Sequence, residues 1–181
     1  MSAPAIKNYL SLVKFSHTIF ALPFAAIGFT LGIIHTNFTV DYTMAIKVLL
    51  CMVFARTAAM SFNRWADAHY DALNPRTAIR EVPSGVISSK SALLFTILNC
   101  IFSVITTWFI NELCFYLSFV ALAVVLGYSY TKRFTALCHL ILGVGLSLAP
   151  IGAYLAVTNE FNIIPVCISI AVFGWVSGFD I

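Results

Sequence analysis

Long apolar stretches, separated by short polar connections, run through most of this sequence. Six of them are long enough to cross a bilayer as helices, and they cover Phe15–His35, Tyr42–Ser61, Ser91–Ile110, Leu113–Tyr130, Ala136–Val157 and Ile163–Phe179. Apolar residues occupy both odd and even positions in these stretches, which favours helices over strands with alternating faces. The pattern predicts an all-α membrane protein with several spans.

The composition strengthens this prediction. The chain is 61% hydrophobic and 9% charged, and its mean hydropathy is +0.96, which is more apolar surface than a soluble domain of 181 residues needs. Five cysteines lie in the apolar stretches without C-x-x-C spacing, namely Cys51, Cys100, Cys114, Cys138 and Cys167. We expect small core residues at these positions, neither disulfides nor metal ligands.

The few basic residues are distributed unequally between the two ends of the predicted helices. If the N-terminus is cytoplasmic, Lys47 lies toward the outer side, whereas the inner side receives Lys7, Lys14, Arg64, Arg76, Arg80, Lys90, Lys132 and Arg133. This positive-inside asymmetry predicts a protein of the inner (cytoplasmic) membrane whose polar segment at residues 63–80 faces the cytoplasm. The basic residues are too few and too scattered to indicate nucleic-acid binding.

That polar segment holds the clearest candidate chemistry. Asn63, Asp67 and Asp71 recur every four residues, so a continuing helix would direct all three side chains the same way. Stacked carboxylates repel each other, and a hard cation such as Mg²⁺ removes the repulsion. Arg76 and Arg80 follow, and their guanidinium groups suit phosphate oxygens. The alternative is that the aspartates pair with neighbouring arginines at a solvated helix end.

Two further polar residues lie in or beside apolar stretches. Arg56 lies within the second stretch, where a buried arginine costs at least about 2.5 kcal/mol and is expected to have an intramembrane function. It shares a helix face with Asn63, seven residues later, and therefore points into the same cavity at a deeper level. His17, near the start of the first stretch, occupies an interfacial position that is typical of an aromatic-belt residue.

A second group of candidate ligands follows the fourth stretch. Tyr128 and Lys132 share a helix face, and with Arg133 they could reach a diphosphate held on the opposite side. Simple anchoring at the inner interface would also explain Lys132 and Arg133. In the loop after the second stretch, Glu81 is expected to pair with Arg80 or Lys90.

These motifs together resemble the UbiA superfamily of intramembrane prenyltransferases. The string N-x-x-x-D-x-x-x-D-x-x-x-x-R-x-x-x-R, from Asn63 to Arg80, is similar to the family's first aspartate-rich motif. Residues 80–85 resemble its R-x-x-P-x-G turn, and residues 128–133 resemble its Y-x-x-x-K-R motif. The likeness is closest to the 4-hydroxybenzoate polyprenyltransferase branch, including relatives in menaquinone synthesis.

The resemblance implies a fold and a reaction. It implies about nine membrane helices, of which this chain holds six, and transfer of a polyprenyl group from an allylic diphosphate to an aromatic acid in ubiquinone- or menaquinone-type quinone biosynthesis. Mg²⁺ would be the cofactor, bound by Asn63, Asp67, Asp71 and a second aspartate motif. By the same resemblance, Arg56 would contact the carboxylate of the acceptor, His17 would face the same cavity, and the bilayer would surround the site.

The sequence departs from the family pattern at its end. Asp180 matches only the first aspartate of the second motif, so residues 1–181 are expected to form a single but incomplete domain that is inactive without the rest of that motif. Two alternatives stay open. One is another UbiA-type enzyme with a haem, chlorophyll or homogentisate acceptor, and the other is a non-catalytic membrane binding or transport protein.

Overall fold

The computed structural model describes residues 3–14, 16–37, 41–131, 133–135 and 138–179; of residues 3–6, 16–19 and 179 it describes the backbone alone. The described residues form helices and no strand. The helices are α1 (Ala3–Leu12), α2 (Ser16–Thr36), α3 (Tyr42–Ala66), α4 (Ala68–Leu73), α5 (Ser89–Trp108), α6 (Glu112–Thr131), α7 (Cys138–Thr158) and α8 (Ile163–Phe179). The all-α prediction is confirmed.

The six predicted spans correspond to α2, α3 and α5 to α8. By length and composition, α3, α5, α6 and α7 can each cross a membrane, while α2 and α8 contribute the shorter apolar stretches Phe20–Thr36 and Ile163–Gly178. α3 begins after Asp41, whose carboxylate accepts hydrogen bonds from the Thr43 hydroxyl and backbone N–H. These bonds hold the pKa of the Asp41 carboxyl below its ordinary value, and the bond from the Thr43 hydroxyl has the larger effect.

Helices α2, α7 and α8 pack through Gly28, Gly32 and Gly143. A Cβ atom added at Gly28 would lie 2.0 Å from the carbonyl oxygen of Pro150, and one added at Gly143 would lie 2.3 Å from Ser177 Oγ. Such distances are possible only because glycine has no side chain. Backbone atoms of α2 and α7 therefore approach each other directly.

Helices α3 and α5 pack through small polar residues instead. The buried face of α5 consists of Ala92, Thr96, Asn99, Ser103 and Thr107. The hydroxyls of Ser61 and Thr96 are hydrogen-bonded across the two helices at 2.8 Å. Nearer the opposite end of α3, Cys51 Sγ and Ser103 Oγ lie 3.7 Å apart.

Helix α6 joins the two groups, because it contacts α5, α3 and α7. Asn111, in the turn before α6, accepts a hydrogen bond from the Cys114 N–H at 2.7 Å and donates its amide N–H to the Leu155 carbonyl of α7 at 2.8 Å. By contrast, α2 and α3 make few contacts although they are consecutive helices. A cavity separates them.

The loop between α4 and α5 is covered by α1. Leu12 of α1 is fully buried in a cluster with Val82 and Ile87 of the loop and Ala92 of α5. Gly85 in this loop has φ +78°, in the left-handed region that favours glycine. Helix α1 therefore holds the loop beside the end of α3.

Candidate functional site

The cavity between α2 and α3 has a volume of about 860 Å³ and extends between α6 and α7. Most of its lining side chains are apolar. The charged and strongly polar groups that line it are Lys14, Arg56, Asn63, Arg64, Asp67, Arg80 and Tyr128. The structure thus brings Asn63, Asp67, Arg80, Tyr128 and Arg56 to one cavity.

The helix that carries the aspartate motif is interrupted at Asp67, between α3 and α4. The Asp67 N–H still donates to the Asn63 carbonyl at 3.0 Å, and the Asp71 N–H donates to the Asp67 carbonyl at 2.8 Å. These bonds preserve helical spacing across the interruption. Asn63 and Asp67 line the cavity, whereas Asp71 is buried just beyond its lining.

Asp71 is bound by Arg80. Arg80 Nη1 lies 2.7 Å from Asp71 Oδ1 and 2.8 Å from Oδ2. The side chain of Asp71 is 10% exposed and that of Arg80 is 31% exposed, so water screens this pair less than a surface pair. The ion-pairing alternative therefore holds for Asp71 in this structure.

Arg133, which follows α6, contacts the interruption between α3 and α4. Its Nη2 donates to the Ala66 carbonyl at 2.7 Å and lies 4.0 Å from Asp67 Oδ1. Its guanidinium carbon also lies 5.1 Å from the ring centroids of both Tyr70 and Tyr130, which adds cation–π attraction. The end of α6 is thereby fixed beside the aspartate motif.

Arg56 lies deeper in the cavity, about 10 Å along α3 from Asn63. Its Nε is buried without a hydrogen-bond partner, and Tyr128 is close enough to interact with it electrostatically. Tyr128 therefore lies near Arg56, and it also lies on the side of the cavity that is predicted to face the diphosphate. A guanidinium group in an otherwise apolar enclosure is a strong potential partner for a carboxylate.

Arg64 is a cavity residue that the sequence reasoning treated only as a possible partner for the aspartates. It is buried, and its Nε also has no hydrogen-bond partner. The signal that could have found it is the row of small polar residues Thr57 and Ser61, which are buried on the same face of α3. Continuing that row by three residues reaches Arg64.

Other predicted site residues lie elsewhere or outside the described part. Arg76 is exposed and does not line the cavity. The side chain of His17 and the residues Lys132 and Asp180 fall outside the described residues. The pairing expected for Glu81 is wrong, because Glu81 accepts a hydrogen bond from Ser11 of α1 while Arg80 binds Asp71.

The donor set at the polar end fits Mg²⁺ on one wall. Asn63 and Asp67 offer amide and carboxylate oxygens, the hard ligands that Mg²⁺ takes together with water and substrate phosphates. Within the described residues, no group of three or more His, Cys, Asp or Glu side chains is placed to hold a metal ion, and no disulfide joins any of the five cysteines. Asn63 lies in α3 and Asp67 directly follows it, so the described oxygen ligands for a cation come from one side of the cavity.

Comparison with known proteins gives a consistent result. Residues 17–181 match the UbiA prenyltransferase family. A curated relative from Aliivibrio salmonicida, named 4-hydroxybenzoate octaprenyltransferase, is 38% identical over 122 residues, which are 66% of this chain and 42% of the relative. A relative of the same name from Vibrio cholerae is 32% identical over 84% of this chain and 50% of its own length. The chain thus spans about half the length of the curated relatives it matches.

The fold matches solved structures as well. The apo structure of a UbiA homologue from Aeropyrum pernix superposes with a TM-score of 0.81 at 31% identity, over 91% of this chain and 62% of that one. A homologue from Archaeoglobus fulgidus, solved with GPP and Mg²⁺, gives 0.73 at 26% identity, over 96% and 61%. This chain is an integral membrane protein that belongs to the UbiA prenyltransferase family.

Proposed function

We propose that this chain takes part in Mg²⁺-dependent transfer of a polyprenyl group from an allylic diphosphate to an aromatic acid such as 4-hydroxybenzoate, in quinone biosynthesis. The observation that carries the proposal is one apolar cavity lined by oxygen donors at one end and by a buried arginine about 10 Å deeper. The names of the curated relatives and the GPP and Mg²⁺ bound by the Archaeoglobus fulgidus homologue support it.

At the polar end, the residues bind and neutralise the diphosphate. Asn63 and Asp67, with Asp71 and Asp180, would hold Mg²⁺, which would neutralise charge on a leaving diphosphate. The basic groups Arg76, Arg80, Lys132 and Arg133, with the phenol of Tyr128, stabilise negative charge that develops as the carbon–oxygen bond of the allylic diphosphate breaks. Asp71 already orients Arg80 for this role.

At the deep end, Arg56 holds the acceptor. Its guanidinium binds the carboxylate of the aromatic acid, which places the ring between Arg56 and the diphosphate. The ring carbon ortho to the phenol attacks the allylic carbon, the diphosphate leaves, and the ring then loses the proton from the attacked carbon. The apolar lining excludes water that would otherwise react with the allylic cation.

The test is prenyl transfer in membranes. We would compare the 181-residue chain with a version continued through a second aspartate motif, at matched expression, using geranyl diphosphate, 4-hydroxybenzoate and Mg²⁺. Transfer by the continued version that disappears with EDTA or without the acceptor supports the proposal, and absence of transfer overturns it. Robust transfer by the 181-residue chain would show that one aspartate-bearing wall suffices.

Arg56 also favours this acceptor class over the alternatives. A haem, chlorophyll or homogentisate acceptor can be offered in the same assay, and preference for an acceptor without a carboxylate would contradict the role of Arg56. A binding or transport protein would bind the allylic diphosphate without cleaving it, so binding with no diphosphate release in the presence of Mg²⁺ and acceptor would favour that alternative. For orientation, we propose that the polar end faces the cytoplasm of an inner membrane.

Orientation can be measured with single cysteines in a cysteine-free background. A cysteine at Ser84, in the loop at the polar end, should resist a membrane-impermeant maleimide in intact cells, and one at Asn159, in the turn between α7 and α8, should react. The reverse pattern would overturn the topology.

A further inference from the structure

Arg64 is a buried cation at the polar end of the cavity. The residue is 6% exposed, its Nε is buried without a hydrogen-bond partner, and it lines the cavity. Among the residues that the structure describes, no carboxylate lies within ion-pairing distance of it. Burying an ionised guanidinium in this way is costly unless something supplies negative charge.

The acidic groups of the described residues do not supply that charge at close range. Those that interact electrostatically with Arg64 belong to Glu81, Asp71 and Asp67. Asp71 is bound by Arg80 through both of its oxygens. Glu81 accepts a hydrogen bond from Ser11, and Asp67 is in contact with Arg133.

A second cation, Arg80, lies beside the same cavity. Arg80 interacts with Arg64 electrostatically and also lines the cavity. Two guanidinium groups that repel each other beside one cavity are stabilised by an anion that accepts from both. A diphosphate has enough oxygens for two guanidinium groups, and these groups match phosphate geometry better than ammonium groups do.

We propose that Arg64 is a diphosphate-binding residue that acts together with Arg80 at the polar end of the cavity. This inference rests on the proposed function and adds a residue to its diphosphate site. Arg64 directly follows Asn63, so the same turn of α3 contributes a metal-binding oxygen and a phosphate-binding cation. The leaving group is then bound by the protein itself as well as through a metal.

The test uses inorganic pyrophosphate as the probe, because binding can be measured without prenyl transfer. The purified 181-residue chain in neutral detergent, with EDTA present, is titrated with pyrophosphate by calorimetry, and the pyrophosphate-induced rise in melting temperature is measured in parallel. Arg64→Gln should weaken binding about ten- to hundredfold, since a hydrogen-bonded charge pair is lost. Arg64→Lys keeps the charge without the planar fork and should lose about three- to tenfold.

The matched control is Lys90→Gln, which removes one positive charge from the exposed start of α5, away from the cavity lining. It should bind pyrophosphate within about twofold of the unaltered chain. If Arg64→Gln binds as tightly as the unaltered chain, the proposal is overturned. If Arg64→Gln does not fold, Arg64→Lys decides, and unchanged binding by that variant overturns the proposal as well.

Two other outcomes separate the proposal from its rivals. A purely structural Arg64 would lower the melting temperature of the unliganded variant and leave the pyrophosphate-induced shift intact, which would also overturn the proposal. Phosphate on a lipid headgroup shares the same chemistry, so phosphatidylglycerol is added to the micelles in a separate arm. An Arg64-dependent effect of that lipid but not of pyrophosphate would assign the residue to lipid binding instead. Pyrophosphate binding without prenyl transfer would leave this inference standing and remove the proposed function.

Discussion

The α2–α7–α8 group and the α3–α5 pair associate in different ways. In the first group, glycines let backbone atoms approach until a single added carbon would collide, as at Gly28 against Pro150. In the second, helices keep the separation that side chains require, and the hydroxyls of Ser61 and Thr96 bond across the gap. Both solutions are available in a membrane, where apolar contact alone does not drive helices together.

The difference follows the chemistry of the cavity walls. α3 carries Arg56, Asn63, Arg64 and Asp67 on or beside its cavity face, and small polar residues on its face toward α5. α2 contributes Ala21 and Ala25 to the cavity, and α7 contributes further apolar residues together with Gly145 and Gly152. The wall formed by α3 therefore carries the charged groups, whereas the wall formed by α2 and α7 is apolar and closely packed. Substitutions should affect the two walls differently.

The largest effect is expected at the glycine contact. Gly28→Leu would force α2 away from the backbone of α7, because the nearest atoms to the new Cβ belong to Pro150 and cannot rotate away. We expect a loss of more than about 3 kcal/mol in stability, above the usual cost of overpacking. Thermal unfolding in detergent measures it.

Gly174→Leu is the matched control on the apolar side, because nothing lies within 4 Å of a Cβ at that position. It should change the melting temperature little. Equal destabilisation by both variants would show that the loss reflects leucine in a helix and not the close approach of α2 to α7.

On the charged wall, Arg56→Leu tests whether the deep end of the cavity binds the acceptor while the polar end binds the diphosphate. Loss of a guanidinium–carboxylate pair should weaken binding of 4-hydroxybenzoate about tenfold to a hundredfold, and binding of geranyl diphosphate much less, because Arg56 lies about 10 Å beyond Asn63. The two dissociation constants, measured separately, check this. Equal loss for both ligands would contradict the assignment.

The Asp71–Arg80 pair should matter less than the glycine contact. Arg80→Ala leaves a buried carboxylate without its partner, which should cost about 1–3 kcal/mol of stability. Combining Arg80→Ala with Asp71→Asn should restore part of the lost stability, since the side chain at position 71 is then neutral. Arg76→Ala removes an exposed arginine from the same loop and serves as the control; a similar loss in that variant would argue against the pair.

The smallest effect is expected at the bridge between α3 and α5. Ser61→Ala should cost about 0.6 kcal/mol, a common value for hydrogen bonds between membrane helices. Thr96 would keep a partner, because its hydroxyl also donates to the Ala92 carbonyl at 3.0 Å. A loss as large as that of Gly28→Leu would mean that hydroxyl bridges hold α3 and α5 as firmly as glycine contacts hold α2 and α7.

The sequence predicted the helices well because apolar runs have clear ends. Ile163–Phe179 was predicted to the residue, and most other spans differ by one or two residues at each end. The exception is α3, whose apolar run ends at Ser61 while the helix continues through the polar segment to Ala66. It continues because its polar residues face a cavity and α5, where hydropathy is a poor guide to helix length.

The site was predicted in its parts but not in its pairings. Asn63, Asp67 and Arg56 could be placed on one face from spacing alone, since helical period decides it. The bond between Ser11 and Glu81 joins residues 70 positions apart, and no local pattern marks such a contact. The burial of Arg64 was missed because an arginine at the polar end of a helix is ordinarily solvated, and its place in the cavity lining is seen only in the folded chain.

With the roles proposed above, the pair between Asp71 and Arg80 should make binding of a divalent cation and of a diphosphate cooperative. A diphosphate that takes Arg80 leaves Asp71 without a cationic partner, and a divalent cation that takes Asp71 leaves Arg80 without an anionic one. Each ligand thereby lowers the cost of binding the other, and by thermodynamic reciprocity the two affinities rise by the same factor. A titration of pyrophosphate at increasing Mg²⁺ should therefore show coupling that Asp71→Asn reduces, even where the two ligands also meet directly.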